Sequence, residues 1–510
     1  MSCHALGSLL SKRGNTLSTY RTYISWLACL GAVWSAPSFS SSMEKLEVLS
    51  AFVSPDGVCR VLLFNSGDRQ VDLTLCHISS ADGTPVEQIW TIAEPSEMLP
   101  AQEAAFSYFP KKSCAAATPH VLITSTGVEV PFCLSVPVLT ATYSVYSPQE
   151  GLYIYIYNAS ENSFTINTAT IANAPLNMAT PVPIPAKSKG LLSGAWVPPA
   201  LEYHVPPVLV RVTTFEGASF TLFTRLFSPE DTASFGPPVS RDSAECFTHS
   251  FESEQIAAEM TIRAGNEVRR TSARTARWCS IDLQRGDPGH FGQLVDRIHL
   301  EPQLAFLRDY NSGRYSRSFL SAFEKTKNAV TPGIFYCQLY PDDVQAQGST
   351  IFPLSKIRAA AYMSLAMGAK GVELRPGLIK ELPPLYQQGI ARLTEELTIL
   401  RPLVLLSEPV DIAHCSPETW YTCHTLLCGL HGLLLFVVPK DGVFAEENGD
   451  VEISLSPDSP DIQDVVGNEI GGGNELVFKE TGGSHLKASA MLSKEVHVFY
   501  FPAKTAGTYR

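Results

Sequence analysis

The sequence predicts a multi-domain chain: two N-terminal Ig-like β-sandwiches, an α/β domain and a C-terminal β-sandwich. Three observations predict it. Residues 43–229 run as short alternating strands separated by turns, the pattern of half-buried antiparallel sheets. Residues 244–402 alternate strands with helices, as parallel βα units do. From Leu403 the chain returns to strands alone. A length of 510 residues agrees with three or four domains at about 150 residues each.

Residues 1–42 read as a leader. Lys12, Arg13 and Arg21 precede the apolar run Tyr23–Trp34, and SAPSFSSS follows. Basic, then apolar, then small is the order of a secretory signal, with Val33 and Ser35 as the small positions before a cut. The apolar run is shorter than the roughly 20 residues a bilayer span needs. The leader predicts a secreted, periplasmic or cell-envelope protein with no stable membrane span once the signal is removed. Translation from Met43 would instead leave the product in the cytoplasm.

The two sandwiches, 43–136 and 137–229, are predicted from an internal repeat. SPDGVCRVLLFNSGDRQVDLTL (Ser54–Leu75) resembles SPQEGLYIYIYNASENSFTINT (Ser147–Thr168). Later, PHVLITSTGVEVPFCLSV (Pro119–Val136) resembles PPVLVRVTTFEGASFTLF (Pro206–Phe223). Solenoids need three or more copies, so each copy must close its own core.

A Pro/Ser-rich linker follows over 230–243, and the hydrophobic period then changes. SEQIAAEMTIRAG, FGQLVDRIHLEPQLAFLRDY and SRSFLSAFEKTKN read as helices, and ARWCSIDL and GIFYCQLY as strands. The segment after Pro353 reads as a helix stopped at Gly368, and GVEL as the next strand. PLYQQGIARLTEELTILRP places Ile390, Leu393, Leu397 and Leu400 at helical spacing, with Pro402 beyond its end. The C-terminal sandwich, 403–510, is predicted from LHGLLLFVV, VEISLS, ELVFKE and EVHVFYF.

Composition is that of an ordinary folded protein, 45% hydrophobic and 17% charged. The net charge of -12 and the absence of any basic cluster exclude a nucleic-acid backbone as partner, since phosphate contact needs concentrated Lys and Arg. No Gly-x-Ser-x-Gly elbow, P-loop or His-Glu-x-x-His is present. Of the 12 cysteines, Cys3 and Cys29 lie in the leader. Cys423-x4-Cys428-x2-His431 falls near zinc-ligand spacing. A Cys423–Cys428 disulfide is an alternative, and packing of small buried side chains is the plainest role. No metal and no cofactor is called for.

The segments GIFYCQLY, FPLSKIRAAAYMSLAMGAKGVELRP and IARLTEELTILRPLVLLSEPV occur in that order. Together they resemble the C-terminal part of a glycoside hydrolase TIM barrel of the retaining β-galactosidase type and its bacterial relatives. Pro353, Ile357, Arg358, Tyr362, Leu365, Ala366, Gly368, Ala369, Gly371 and Val372 carry the first part of the likeness. Glu396, Leu397, Leu400, Pro402, Leu403 and Leu405 carry the second. The likeness spans roughly residues 270–440 and implies a barrel leading into a C-terminal sandwich. A full barrel has eight βα units and about 250 residues. Residues 244–402 hold room for four or five such units, so a reduced, incomplete (β/α) barrel-like domain is expected. Its open sheet edges would need cover from the upstream sandwich or from self-association.

A glycosidase uses two carboxyls, about 5–5.5 Å apart for retention and about 6.5–9.5 Å for inversion. The resemblance places the retaining nucleophile at the end of the GIFYCQLY strand, where this chain has Gln338, and an amide cannot form the glycosyl ester. Asp342 and Asp343 on the following loop and Glu373 at the end of GVEL are the candidate catalytic carboxylates. Asp282, Tyr336, Gln338 and Tyr340 are candidate substrate-binding residues, through hydroxyl contacts and ring stacking. Asn266-Glu267 matches the acid/base pair of such barrels but falls at a helix end or turn. Beside each candidate stands a plainer role: a loop cap for Asp282, loop solvation for Asp342 and Asp343, core packing for the tyrosines.

The expected function is an exported glycosidase-like protein that binds or processes carbohydrate, an oligo- or polysaccharide, with catalysis either retained or degenerate. The rival is a non-catalytic structural or adhesive envelope protein with tandem Ig-like modules.

Overall fold

The computed structural model describes residues 45–53, 58–73, 77–80, 92–94, 98–99, 104–110, 119–124, 127–133, 137–199, 205, 207–228, 235–236, 278–282, 296–301, 315–341, 351–375, 382–440, 449–455, 466–480, 486–493 and 495–503. The expected leader and the predicted helix SEQIAAEMTIRAG lie outside them.

Among the described residues the chain is mostly β-sheet, with three helices: α1 (Tyr315–Val330), α2 (Leu354–Ala366) and α3 (Pro384–Leu405). In the first copy of the repeat, strands Leu46–Val53, Val58–Asn65, Ala104–Pro110 and Ile92–Glu94 form one antiparallel sheet. Strands His77–Ser80, Pro119–Ile123 and Glu129–Cys133 form another. Val61, Leu63, Ile78, Leu122 and Phe132 share one core. The second copy pairs Leu139–Ser147, Gly151–Asn158 and Lys189–Gly194 in one sheet. Phe164–Ile171, Pro207–Thr214 and Ser219–Arg225 lie in a second sheet, and Ile154, Ile166, Leu192 and Val210 share the core.

Two buried asparagines show that the copies use the same corner. Asn65 Nδ2 donates to the Arg69 and Leu99 carbonyls, and Asn65 Oδ1 accepts from the Gly67 N–H. Asn158 Nδ2 donates to the Asn162, Ile184 and Pro185 carbonyls, and its Oδ1 accepts from the Ser160 N–H. The hairpin turns match as well. Thr124 and Thr214 each close a turn through the hydroxyl and backbone, with Gly127 and Gly217 at φ 83 and 82. That backbone region favours glycine.

The α/β portion is a five-stranded sheet whose neighbours all run parallel. In spatial order the strands are Phe235–Gly236, Gly371–Leu374, Ile334–Leu339, Arg297–Glu301 and Trp278–Asp282. Phe235–Gly236 lies in the stretch read as linker and adds the edge beside Gly371–Leu374. Arg297–Glu301 corrects the expected helix FGQLVDRIHLEPQLAFLRDY. Its five residues pair with strands on both sides, and sheet pairing overrides the weak helical pattern.

Helix α2 ends as Gly368 predicts. Gly368 (φ 93) donates to the Leu365 carbonyl and Ala369 to the Ser364 carbonyl, the Schellman pairing. Helix α3 differs from expectation because Pro402 lies inside it. Proline removes one backbone donor, but Leu400 and Val404 are buried on either side of it, and their packing carries the last turn onward.

The C-terminal part has a six-stranded and a four-stranded sheet. Its central strand, Gly432–Pro439, is buried along its whole length. Leu434, Phe436 and Val438 pack on the core that holds α2 and α3, while Leu433, Leu435 and Val437 face the second sheet's core. Arg358, Tyr362 and Glu396, all carriers of the family likeness, tie this frame together. Arg358 donates to Glu396 at 3.0 Å and to the Val496 carbonyl at 3.0 Å, and the Tyr362 hydroxyl donates to Glu396 at 2.5 Å.

Cys415 and Cys423 form a disulfide, which corrects the Cys423–Cys428 alternative. Cys423 and Cys428 lie on one strand, and five extended steps separate them by about 17 Å, too far for a bridge. Cys428 is a buried free thiol, and His431 pairs with Glu150 at 2.8 Å, so the zinc-like spacing does not converge. No described helix is long and apolar enough to cross a membrane.

Candidate functional site

Alternation along the parallel strands sorts side chains onto two faces. Ile298, Leu300, Phe335, Cys337, Leu339 and Val372 enter the core shared with the helices. The intervening residues therefore share the opposite face: Arg297, His299 and Glu301 on one strand, Tyr336, Gln338 and Tyr340 on the next, Glu373 and Arg375 on the third. Register places His299 beside Tyr336 and Gln338 beside Glu373.

The two ends of this face differ. At the amino ends of the strands it packs on the second β copy. Ile334 and Tyr336 share a core with Tyr143, Tyr155, Phe227 and Leu406, and Asp296, just before its strand, pairs with Arg225 at 2.6 Å. At the carboxyl ends the face is polar, which is where open α/β sheets present ligand sites.

The polar row centres on Glu373, which is buried. Gln338 Nε2 donates to its Oε2 at 2.9 Å. His299 Nδ1 lies 3.3 Å from the same oxygen and 3.1 Å from Gln338 Nε2. Arg375, directly after the strand, places a guanidinium nitrogen 3.3 Å from that oxygen. Nearer solvent, the Tyr340 hydroxyl donates to Glu301 at 3.4 Å. Burial pushes the Tyr340 phenol up to about 12, with Glu301 adding to the rise, Arg375 opposing it and Glu373 contributing less. Tyr340 is therefore a neutral hydroxyl at neutral pH, set between two carboxylates.

The structure brings Glu373, Gln338 and Tyr340 together. Tyr336 is fully buried, with its ring 5.0 Å from that of His299 and its partners in the aromatic core, so it supports the site from below. Asp282 ends the outer strand in register with Glu301, and only its backbone is described. Asp342, Asp343, Asn266 and Glu267 lie outside the described residues.

Arg297, His299, Glu301 and Arg375 went unpredicted. The first three were hidden by the helix assignment, although polar Arg, His and Glu alternate with Ile and Leu in RIHLE, the period of a strand. Among the described residues, no group of three or more His, Cys, Asp or Glu converges as a metal would require. Chemically, the row offers two carboxylates as acceptors for hydroxyls and Arg375, Tyr340 and Gln338 as donors.

No family model matches the chain, and no curated protein matches it. Solved structures do. A glycoside hydrolase family 5 protein from Bacteroides vulgatus is 13% identical, with a TM-score of 0.32, over 49% of this chain. The chain spans 60% of that protein's length. A GH30 endoxylanase from Clostridium papyrosolvens is 10% identical over 55% of this chain and 79% of that one, with a TM-score of 0.26. SGBP-B of a Bacteroides ovatus mixed-linkage glucan utilization locus, in complex with a heptasaccharide, is 11% identical over 38% and 46%, with a TM-score of 0.14. The chain is weakly similar to glycoside hydrolases and to a saccharide-bound protein. At these scores the likeness carries no argument, and function rests on the site itself.

Proposed function

We propose that this chain is an exported, glycosidase-like protein that binds or processes carbohydrate at the carboxyl ends of its parallel strands. The observation that carries the reading is Glu373, a buried carboxylate held by Gln338, His299 and Arg375, with Glu301 and Tyr340 at the rim. Sugars are recognised by such planar acceptors and donors around a shallow polar floor. Glu373, Gln338 and Tyr340 bind substrate hydroxyls in this reading, with Asp282, Asp342 and Asp343 as further contacts from neighbouring strand ends.

Strand order supports a reduced barrel. Phe235–Gly236 comes first in the chain and pairs with Gly371–Leu374, which comes last, as the first and last strands of a sheet closed on itself do. The domain division in this reading is a leader over 1–42, Ig-like units at 43–136 and 137–229, a linker at 230–243 that lends the short strand Phe235–Gly236 to the sheet, the barrel-like domain at 244–402 and the C-terminal sandwich at 403–510. The Cys415–Cys423 disulfide supports export, because such bonds persist in oxidising compartments.

Gln338 favours binding over retaining catalysis. It stands where the resembled enzymes carry their nucleophile and serves here as a donor to Glu373. The rival adhesive reading is opposed by the second copy's attachment: Tyr143 and Tyr155 bond the Leu405 and Leu406 carbonyls, which a free spacer would not do. Incubation with aryl glycosides and polysaccharides, alongside calorimetric binding, tests the reading. Binding or turnover lost in Glu373→Gln supports it. Neither binding nor turnover with any glycan sinks it.

A further inference from the structure

A second polar feature lies away from the strand ends. A groove of about 690 Å³ runs between the second β copy and the C-terminal sheet. Its walls include Tyr157, Pro181 and Pro183 on one side and Val410, His424 and Thr425 on the other. Lys189 lines it, and Lys189 also belongs to a buried charge cluster beneath.

That cluster is unbalanced. Glu408 is fully buried and pairs with Lys189 at 3.1 Å and Lys327 at 3.0 Å. Lys370, also fully buried, lies close enough to both for their charges to act on it. Three lysines thus surround one carboxylate, and buried charge is costly unless matched. Burial lowers Lys370 to about 7, with Lys327 and Lys189 adding to the fall and Glu408 opposing it. Lys189 uses two of its three N–H donors on Glu408 and the Pro409 carbonyl. Its side chain keeps 20% exposure, so one donor remains for the groove.

We propose that this groove binds a single oxyanion at Lys189, a carboxylate or sulfate ester carried on an otherwise neutral oligosaccharide. The anion supplies the negative charge that the cluster lacks. Glu324 and Asp411 also line the groove at exposed positions, so a densely charged polyanion is repelled and a sparsely charged chain is accepted. The proline and tyrosine walls offer apolar faces to the carrier. The sugar carrier rests on the carbohydrate reading above, whereas the anion contact does not.

Isothermal titration of the full chain at fixed ionic strength tests this, with sodium sulfate, an oligosaccharide bearing a single uronate and a neutral oligosaccharide of equal length. The singly charged oligosaccharide or sulfate is expected to bind at least tenfold more tightly than the neutral chain, and the stronger of the two identifies the source. Lys189→Met should weaken that binding at least tenfold. Because Lys189→Met also disturbs Glu408, Ala179→Trp is the second variant: Ala179 is an exposed groove residue, and tryptophan there narrows the groove while keeping every charged side chain of the cluster. It should weaken binding of the singly charged oligosaccharide at least tenfold. Equal binding of acidic and neutral chains, or anion binding indifferent to both groove variants, overturns the proposal. Neutral-chain binding lost only in Glu373→Gln, with no anion binding, overturns it and leaves the strand-end site standing.

Discussion

Lys370 Nζ stands 3.9 Å from the centroid of the Tyr143 ring. The lysine immediately precedes a parallel strand, and the tyrosine comes from the second β copy. Lys370 also donates to the Val404 carbonyl at 3.3 Å and to the Ser407 carbonyl, at the end of α3, where a helix favours a cation. One ammonium group thus joins three parts of the molecule.

This contact makes stability depend on pH. Burial lowers Lys370 to about 7 from 10.5. Below about 7 the amine is charged in both folded and unfolded chains. Between 7 and 10.5 the unfolded chain binds a proton that the folded chain does not, so stability rises with pH across that window. Urea midpoints from pH 6 to pH 10 should climb, and Lys370→Met should flatten the climb. An unchanged slope in the variant would remove Lys370 as its source.

Glu408 titrates at the other end of the scale. Although burial alone would raise it, Lys189, Lys327 and Lys370 together hold its carboxyl down at about 2. Its stabilisation is present above 4.5 and fades as pH falls from there toward 2. Glu408→Gln should cost about 3–5 kcal/mol at pH 7, because it leaves buried lysines without their counter-charge. Chemical denaturation measures the loss. A cost below 1 kcal/mol would show that the lysines are neutral or solvated.

Tyr155 fastens the second copy to the C-terminal part. Its hydroxyl oxygen lies 2.6 Å from the Leu406 carbonyl and 2.7 Å from that of Leu427, and it accepts the Gly429 N–H at 2.8 Å. Tyr155→Phe keeps the ring and strands those backbone groups. The expected loss is about 1–3 kcal/mol, read as a lower urea midpoint with the slope unchanged.

Arg225 and Asp296 form a buried pair at 2.6 Å. Asp296→Asn should cost about 3–5 kcal/mol, whereas replacing both residues with apolar side chains of similar volume should recover most of it. A double variant no better than Asp296→Asn would mean that the pair's geometry, rather than its charge balance, holds the junction.

At the candidate site, Gln338→Leu removes a donor to Glu373 without removing the carboxylate. Glycan affinity should fall about tenfold, roughly the 1.4 kcal/mol of one lost hydrogen bond to a charged group. Glu373→Gln should lose more. Equal affinity in both variants and the parent would place the glycan elsewhere.

Much of this was legible in the sequence. FNSG and YNAS mark the repeat, and Asn65 and Asn158 occupy the same corner because a buried strand end needs a side chain that caps backbone groups. Gly368 ends its helix through backbone geometry that glycine adopts at little cost. GLLLFVV reads as a strand buried on both faces. These features are local, set by periodicity and by residues with special backbone preferences.

The rest needed the tertiary structure. RIHLE is five residues long, and only pairing with strands on both sides makes it a strand, which in turn brings His299 and Glu301 beside Gln338 and Glu373. IYIY displays alternation, yet nothing local says that its Tyr155 bonds the Leu406 carbonyl or that Tyr143 on the neighbouring strand bonds that of Leu405. Cys423 found Cys415 instead of Cys428 because an extended strand holds near neighbours apart. The charge cluster joins Lys189, Lys327, Lys370 and Glu408 from separate elements. Local chemistry chose the strands, turns and helix stops; which polar residues meet was decided by long-range packing, because burial and Coulomb interactions depend on distance in space and not along the chain.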